Sequence, residues 1–429
     1  MATQNLKFYM GSVLNPVSDD RCDYLEKGMI VTQGEIIKDI LSEEKGMKKY
    51  KSLMKKSNTK IFENSVFIPG FYDMHFHWVQ DDVREMPKDS LLGWLEKYTF
   101  PTETKFANKS YSYKRAKEFF KKLSKTGTVG GACYSSIHEH SLDAAMKHVL
   151  GDFVIGNVLM NMNSPEQLTQ SEEDSLNLTQ KLIGKYGTRH AFTPRFAITT
   201  TPKVMKKGSQ IADKNKCFKQ THLSETPQEI DFVLSIYRKI PGFEKVKSYT
   251  EIYEKTGMLG KRSLMGHGIH LSKAELQVLK KTQTSVIHCP TSNAPLKEKG
   301  LGSGLFDFKK VNAHKISWAL GSDIGGGPFL SMFDVMRSFV DQNHRNGEKS
   351  ANYVMALYRS TLAGAKILGV HKKSGSLNKN KEANFLVVPH NGGQSAEEVL
   401  EGIIAPLKGK RHLYDGVADH VYIKGRLIS

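Results

Sequence analysis

From about Val66 onward, short apolar runs alternate with stretches whose apolar residues recur at helical spacing. Ser285-Val286-Ile287-His288-Cys289 and Ile316-Ser317-Trp318-Ala319-Leu320-Gly321 read as buried strands. The helices are marked by their starts. Thr226-Pro227-Gln228-Glu229 is a capping box with proline at the first helical position, and Ile230, Val233, Leu234 and Tyr237 then line one face. Ser272-Lys273-Ala274-Glu275 is a second capping box. Between Lys105 and Lys125, Ala116, Phe119, Phe120 and Leu123 share a helical face, and Gly127 follows as a stop. Strand and helix alternating over roughly 300 residues predict a parallel α/β fold, with a barrel as the leading choice. The two ends read differently. Residues 1–65 and 376–429 hold short apolar runs with turn signals, such as Ala383-Asn384-Phe385-Leu386-Val387-Val388. Each end is short for a core of its own, so both are expected to build one small β domain beside a catalytic domain of residues 66–375.

Composition narrows the class. With 429 residues, 39% hydrophobic and 25% charged, the chain has enough apolar surface for a large core, which excludes a disordered protein. Lys plus Arg is 62 against 44 Asp plus Glu, a net charge of +18, and this raises a nucleic-acid or membrane reading. The excess is concentrated in tracts such as Glu43–Lys60 and Lys105–Lys125, the latter with eight basic residues and one acidic. Only Tyr111 and Tyr113 interleave with that second tract, so it reads as the solvated face of a helix and no nucleic-acid partner is expected. No run of 18 apolar residues suggests a membrane span, and Met1–Asn15 does not resemble a secretion signal. Cys22, Cys133, Cys217 and Cys289 are far apart and form no C-x-x-C, which argues against a disulfide framework or a cysteine zinc knuckle. A reduced, cytoplasmic setting is the expectation.

The chemistry lies in four polar sites, each beside an apparent strand end. Pro69-Gly70-Phe71-Tyr72-Asp73-Met74-His75-Phe76-His77 follows the apolar run Val66–Ile68. On a strand, residues i and i+2 share a face, so His75 and His77 point the same way, as two metal ligands must. Thr221-His222-Leu223-Ser224-Glu225 offers a third imidazole, with Glu225 placed to reach a metal-bound water. Met265-Gly266-His267-Gly268 comes third, and Leu320-Gly321-Ser322-Asp323-Ile324-Gly325-Gly326-Gly327 fourth, with an aspartate that glycines allow to approach a metal closely. Three histidines and one aspartate leave a coordination position open for water, which zinc activates near neutral pH. A second H-x-H, Ile137-His138-Glu139-His140, lacks the P-G-F-x-D lead and reads as rim or surface. His288 reads as a supporting group at a strand end and His314 as surface.

These residues resemble the amidohydrolase superfamily, and within it the guanine deaminases, over nearly the whole chain. P-G-F-x-D-x-H-x-H, T-H-x-S-E, H-G-x-x-L-S, H-C-P-T-S-N and L-G-S-D-x-G-G-G occur in family order. The narrower likeness rests on Leu91-Leu92-Gly93-Trp94-Leu95, on Tyr98-Thr99-Phe100-Pro101-Thr102-Glu103, on Pro194-Arg195-Phe196-Ala197, and on the return from Gly375 to Phe385. The resemblance implies a distorted (β/α)8, TIM-like barrel with a small composite β-sandwich formed by both termini, working as a homodimer. It implies one Zn2+ per subunit, with Fe2+ the alternative, held by His75, His77, His222 and Asp323. Glu225 would shuttle protons, His267 would hold the metal-bound water, and Asp323 would take part in catalysis. His77, Gln80, Arg195 and Phe196 would hold the purine, with Trp78, Trp94 and Phe100 as stacking or lid walls. The activity implied is hydrolysis of guanine to xanthine and ammonia by a zinc-activated hydroxide. Two rivals stand beside it: a sister deaminase or chlorohydrolase acting on another purine, a pterin or a triazine, and a non-catalytic scaffold of the same fold. One stretch departs from expectation: Cys217-Phe218-Lys219-Gln220-Thr221 is more polar than a buried barrel strand should be.

Overall fold

The computed structural model describes residues 6–407 and 416–429. The amino-terminal end forms strands β1 (Leu6–Ser18), β2 (Arg21–Gln33), β3 (Ile36–Ser42) and β4 (Thr59–Pro69). Eight strands follow, alternating with helices: β5 (Phe71–His77), β6 (Thr128–Ser135), β7 (Asp152–Leu159), β8 (Ala191–Pro194), β9 (Phe218–Leu223), β10 (Ser263–His267), β11 (Ser285–His288) and β12 (Trp318–Leu320). They make an eight-stranded sheet in sequence order, and every adjacent pair is parallel. The sheet curls until its first and last members meet. The Asp323 amide donates to the His75 carbonyl at 2.7 Å, and the His77 amide to the Ile324 carbonyl at 2.5 Å. The result is a nearly closed, distorted (β/α)8 barrel, as the alternating pattern predicts.

Strands β13 (Phe385–Pro389), β14 (His420–Ile423) and β15 (Arg426–Leu427) return to the amino-terminal sheet. The order is β15-β14-β13-β4-β1-β2-β3, so both termini build one seven-stranded sheet. β4 runs past the expected boundary at residue 65 as far as Pro69, because Val66–Pro69 pair with β13 in register Ile68 with Leu386. Leu14, Val66, Ile68, Leu386 and Val388 belong to the same apolar cluster as the barrel core, while Tyr9, Val13, Ile30, Phe67, Phe385 and Val387 form a second cluster. Alternate side chains of one strand thus serve two interiors, which is why these strands read as continuous apolar runs.

Both predicted capping boxes form. Thr226 caps the helix Pro227–Tyr237 with Glu229 reaching back, and Ser272 caps Lys273–Thr282 with Glu275. The helix Lys109–Lys125 buries Ala116, Phe119, Phe120 and Leu123 and leaves its lysines outward. The polar strand β9 is buried with most of its polar groups partnered, Gln220 Oε1 excepted. Lys219 donates to Asp213 at 2.7 Å and to the Gly257 carbonyl at 2.8 Å. Gln220 donates to the Cys133 carbonyl at 2.9 Å, and Thr221 to the Arg195 carbonyl at 3.2 Å. Such partners offset most of the desolvation penalty that apolar patterning avoids. Among the described residues no helix is long and apolar enough to cross a membrane.

Candidate active site

The C-terminal ends of the barrel strands converge on one cavity. His77, Gln80, Arg195, Phe196, His222, Glu225 and Asp323 line it, together with Leu91, Trp94, Leu95, Leu301 and Gly326. Backbone conformation marks the rim. Ser224, His267 and Asp323 have φ of 51°, 71° and 50°, a left-handed geometry that costs a non-glycine residue about 1 kcal/mol or more and concentrates at functional sites. Space is tight around His75. A Cβ on Gly266 would lie 2.6 Å from the His75 ring, and one on Gly321 2.8 Å from the His75 backbone nitrogen.

The ligand-bearing atoms of His75, His222, His267 and Asp323 all lie within 4.8 Å of one another. His77 joins them: its Nε2 is 3.1 Å from His222 Nε2 and 3.5 Å from Asp323 Oδ1, and His75 Nε2 is 3.3 Å from the same oxygen. A tetrahedral centre with bonds of about 2.0–2.1 Å has edges of about 3.3–3.4 Å, so these spacings suit a small divalent cation. The protonation states suit it as well. Burial holds His75 and His222 down to about 3, and holds His77 and His267 well below the ordinary imidazole range. All are neutral at pH 7, the form that ligates a metal. His222 Nδ1–H donates to the Arg195 carbonyl at 2.6 Å, which leaves Nε2 as the lone-pair nitrogen facing the site. His75 Nε2 is buried without any hydrogen-bond partner among the described residues. A donor set of this kind fits a metal.

Glu225 and His267 form a second unit beside the first. Glu225 Oε2 lies 3.4 Å from His267 Nε2. Burial, and then the neighbouring Asp323 carboxylate, pushes Glu225 well above the usual carboxylate range. Its Oε1 accepts from Asn293 Nδ2 and from Ser303 Oγ, both at 3.2 Å. The same Asn293 amide nitrogen is 3.1 Å from His267 Nδ1. Because Nδ2 faces a carboxylate oxygen on one side, it donates on the other too, and His267 Nδ1 is then the accepting nitrogen. Its Nε2 then carries the proton and faces Glu225 Oε2 at 3.4 Å, without a hydrogen-bond partner among the described residues.

Other side chains hold this frame. Asp73 is fully buried and clasps β5 to the segment after β12. It accepts from the Ser322 amide at 2.9 Å and from Ser322 Oγ at 2.5 Å. Burial raises its carboxyl to about 7. Tyr134 stacks on His77 with ring centroids 4.4 Å apart. Neither Tyr134 nor Asn293 carries a role in the sequence reading. Asn293 lies within a motif that the sequence offers, whereas Tyr134 sits in the strand Thr128–Ser135 outside any of the motifs singled out.

At the far wall, Arg195 Nη1 donates to both oxygens of Glu103, at 2.9 and 2.8 Å, and Gln80 Nε2 donates to Glu103 Oε1 at 2.8 Å. Phe196 and Trp94 line the cavity as expected of wall residues. Trp78 is a correction. It does not line the cavity: its indole donates to Ser135 at 3.0 Å and packs on Phe106, 5.0 Å away, within the core beneath the Lys109–Lys125 helix. Trp78–Val83 is a 3-10 turn, where residues three apart eclipse, so His77 and Gln80 share one side and Trp78 turns to the other. Phe100 also lies outside the lining. Its ring faces the Arg195 guanidinium at 5.2 Å. His138 and His140 stack on each other at 5.5 Å outside the cavity lining. His288 is buried against Phe306 at 4.5 Å, and His314 caps its own helix by way of the Lys310 carbonyl.

Residues 66–428 match the amidohydrolase family. The guanine deaminase of Escherichia coli K12 is 32% identical over 335 residues, spanning 76% of this chain and 74% of the relative. A solved structure of E. coli guanine deaminase superposes with a TM-score of 0.86 at 27% identity over 99% of both chains. That of guanine deaminase from C. acetobutylicum with bound guanine superposes with a TM-score of 0.82 at 29% identity, covering 99% of this chain and 100% of the other. With the fold, the site and the whole-length similarity in agreement, the chain belongs to the amidohydrolase family, in its guanine deaminase branch.

Proposed function

We infer that this chain hydrolyses guanine to xanthine and ammonia, as a zinc-dependent homodimeric enzyme of the cytoplasm. The observation that carries the reading is a convergence within one cavity. Neutral imidazoles and an aspartate stand at metal-ligand spacing, a buried high-pKa glutamate stands beside them, and Arg195 and Gln80 form the opposite wall. Zinc suits an imidazole-rich set completed by one carboxylate, with His75, His77, His222 and Asp323 as the proposed ligands. When bound, such a cation supplies Lewis acidity that brings the pKa of a water down toward about 7.

The rest of the chemistry belongs to the side chains. Arg195 presents a rigid guanidinium to O6 and N7 of the purine, and Phe196 and Trp94 supply apolar wall. Held there, the base turns C2 and its amino group toward Glu225 and Asp323. Glu225, raised by burial, is suited to take a proton from the attacking water and give it to the ring nitrogen beside C2. The His267 Nε2–H donor holds the water on its line of approach. Asp323 accepts the second proton from the new hydroxyl as the C2–N bond breaks, and that proton leaves with ammonia. Water enters, the exocyclic amine leaves, and the oxygen stays on C2 as the carbonyl of xanthine.

Glu225→Gln tests the assignment. It keeps the shape and the Asn293 contact but cannot carry a proton. Ammonia release is expected to fall by about 10³-fold while the metal content of the purified protein stays the same. Turnover close to that of the unmodified chain would overturn the role.

A further inference from the structure

Glu103 is fully buried, yet it does not line the cavity. It sits on the short helix Phe100–Thr104, behind the wall that the purine would meet. Its two oxygens are taken up by the two groups in front of it: Oε1 accepts from Gln80 at 2.8 Å and from Arg195 at 2.9 Å, and Oε2 accepts from Arg195 at 2.8 Å. Both contacts to Arg195 fall on Nη1. The carboxylate therefore grips one corner of the guanidinium and leaves Nη2 and Nε to face elsewhere. Phe100, from the same helix, lies over the guanidinium face at 5.2 Å. A planar group held at one corner and covered along one face has restricted rotation, so this helix limits where the other N–H groups of Arg195 point.

We propose that Glu103 is a positioning residue that holds Arg195 and Gln80 in place against the purine, and so sets a preference for 6-oxo over 6-amino purines. The proposal rests on the guanine reading above for the orientation of the base. The chemistry follows from the donors. The side of the guanidinium left free by Glu103 offers only N–H groups. A 6-oxo purine presents O6 and N7 there, and both accept. A 6-amino purine presents an amino group, donor against donor. A mobile guanidinium could swing aside and admit either, whereas a clamped one cannot. Glu103 also supplies the charge that a buried guanidinium needs, and leaves the wall neutral for a neutral base. The same contact explains Phe100 without any role in stacking on substrate.

The test is Glu103→Gln in the metal-loaded protein. A glutamine has one acceptor oxygen and sets its own amide N–H groups against Arg195 or Gln80. The variant is expected to raise KM for guanine about tenfold with kcat within about threefold, the signature of lost binding and intact chemistry. Calorimetry with two unreactive probes reads the preference directly. The unmodified chain should bind hypoxanthine far more tightly than adenine, and in the variant that ratio should shrink about tenfold. An unchanged KM and an unchanged binding ratio, or a fall in kcat alone, would overturn the proposal. Should the variant not fold, a crystal structure of the unmodified chain with hypoxanthine decides. O6 or N7 on Arg195, with Nη1 still on Glu103, supports it; a purine bonded to Glu103 itself contradicts it. The binding ratio needs no turnover. A chain that selects hypoxanthine yet makes no xanthine would refute the activity and leave the clamp standing.

Discussion

At the scale of single residues, burial sets the chemistry. An imidazole in water titrates near neutrality, and a glutamate is ionised well below it. In this barrel mouth the same groups move in opposite directions, because burial disfavours whichever form carries charge. The histidines are held neutral, the form that can ligate a metal, and Glu225 is able to hold a proton. Asn293 ties the two halves together, since one amide nitrogen serves both Glu225 and His267. Asn293→Ala should therefore lower kcat by about 10–100-fold, through loss of the fixed His267 tautomer, with metal content unchanged. An unchanged kcat would show that His267 keeps its orientation by other means. Asn293 was within reach of the sequence, inside H-C-P-T-S-N, but its role depends on a contact with residues far away along the chain. Trp78 failed for a related reason. Strand periodicity ends at His77, where a 3-10 turn takes over and sends the indole into the core.

At the scale of elements, the strand ends and helix starts that follow them are what aim the site. The Thr226 capping box was legible from its four residues. Its second use was not: Glu229 Oε2 also accepts from the Glu225 amide at 2.7 Å, so the cap of one helix seats Glu225. Burial raises the Glu229 carboxyl from 4.5 to about 7. The folded chain thus binds this proton more tightly than the unfolded chain. Its contribution to stability is complete below pH 4.5 and is lost as pH rises through about 7, a difference of roughly 3 kcal/mol at most. Glu229→Gln cannot titrate. Melting curves at pH 5 and pH 8 should therefore show the unmodified chain losing more stability on going to pH 8 than the variant does. Parallel losses in both proteins would mean that Glu229 holds no proton in the folded state. Strand β9 teaches the same lesson in reverse. Lys219-Gln220-Thr221 contradicts apolar patterning, and what satisfies it comes from Asp213, Gly257, Cys133, Thr193 and Tyr253, none of which a local pattern can foresee.

At the scale of the whole molecule, one barrel and one sheet shared by the two ends make a single body. Arg359 binds Asp19 of the β1–β2 turn, with Nε to Oδ1 at 2.6 Å, and stacks over Trp318 of β12 at 4.0 Å. The barrel's last strand is thereby joined to the terminal sheet. The alternation of apolar runs and helical stretches announced this architecture, and the four polar strand ends announced where its chemistry lies. Part of the +18 charge lies in the tract from Lys105 to Lys125. The lysines of the Lys109–Lys125 helix lie on its solvent side, away from a cavity built for a small neutral base. The central claim is the reaction itself, and a single measurement addresses it: xanthine and ammonia followed together after guanine is added to the purified chain. The account predicts equal amounts of both, loss of both on treatment with a chelator, and recovery on adding Zn2+. A metal-loaded chain that makes no xanthine from guanine, while releasing ammonia from another purine, a pterin or a triazine, would contradict it.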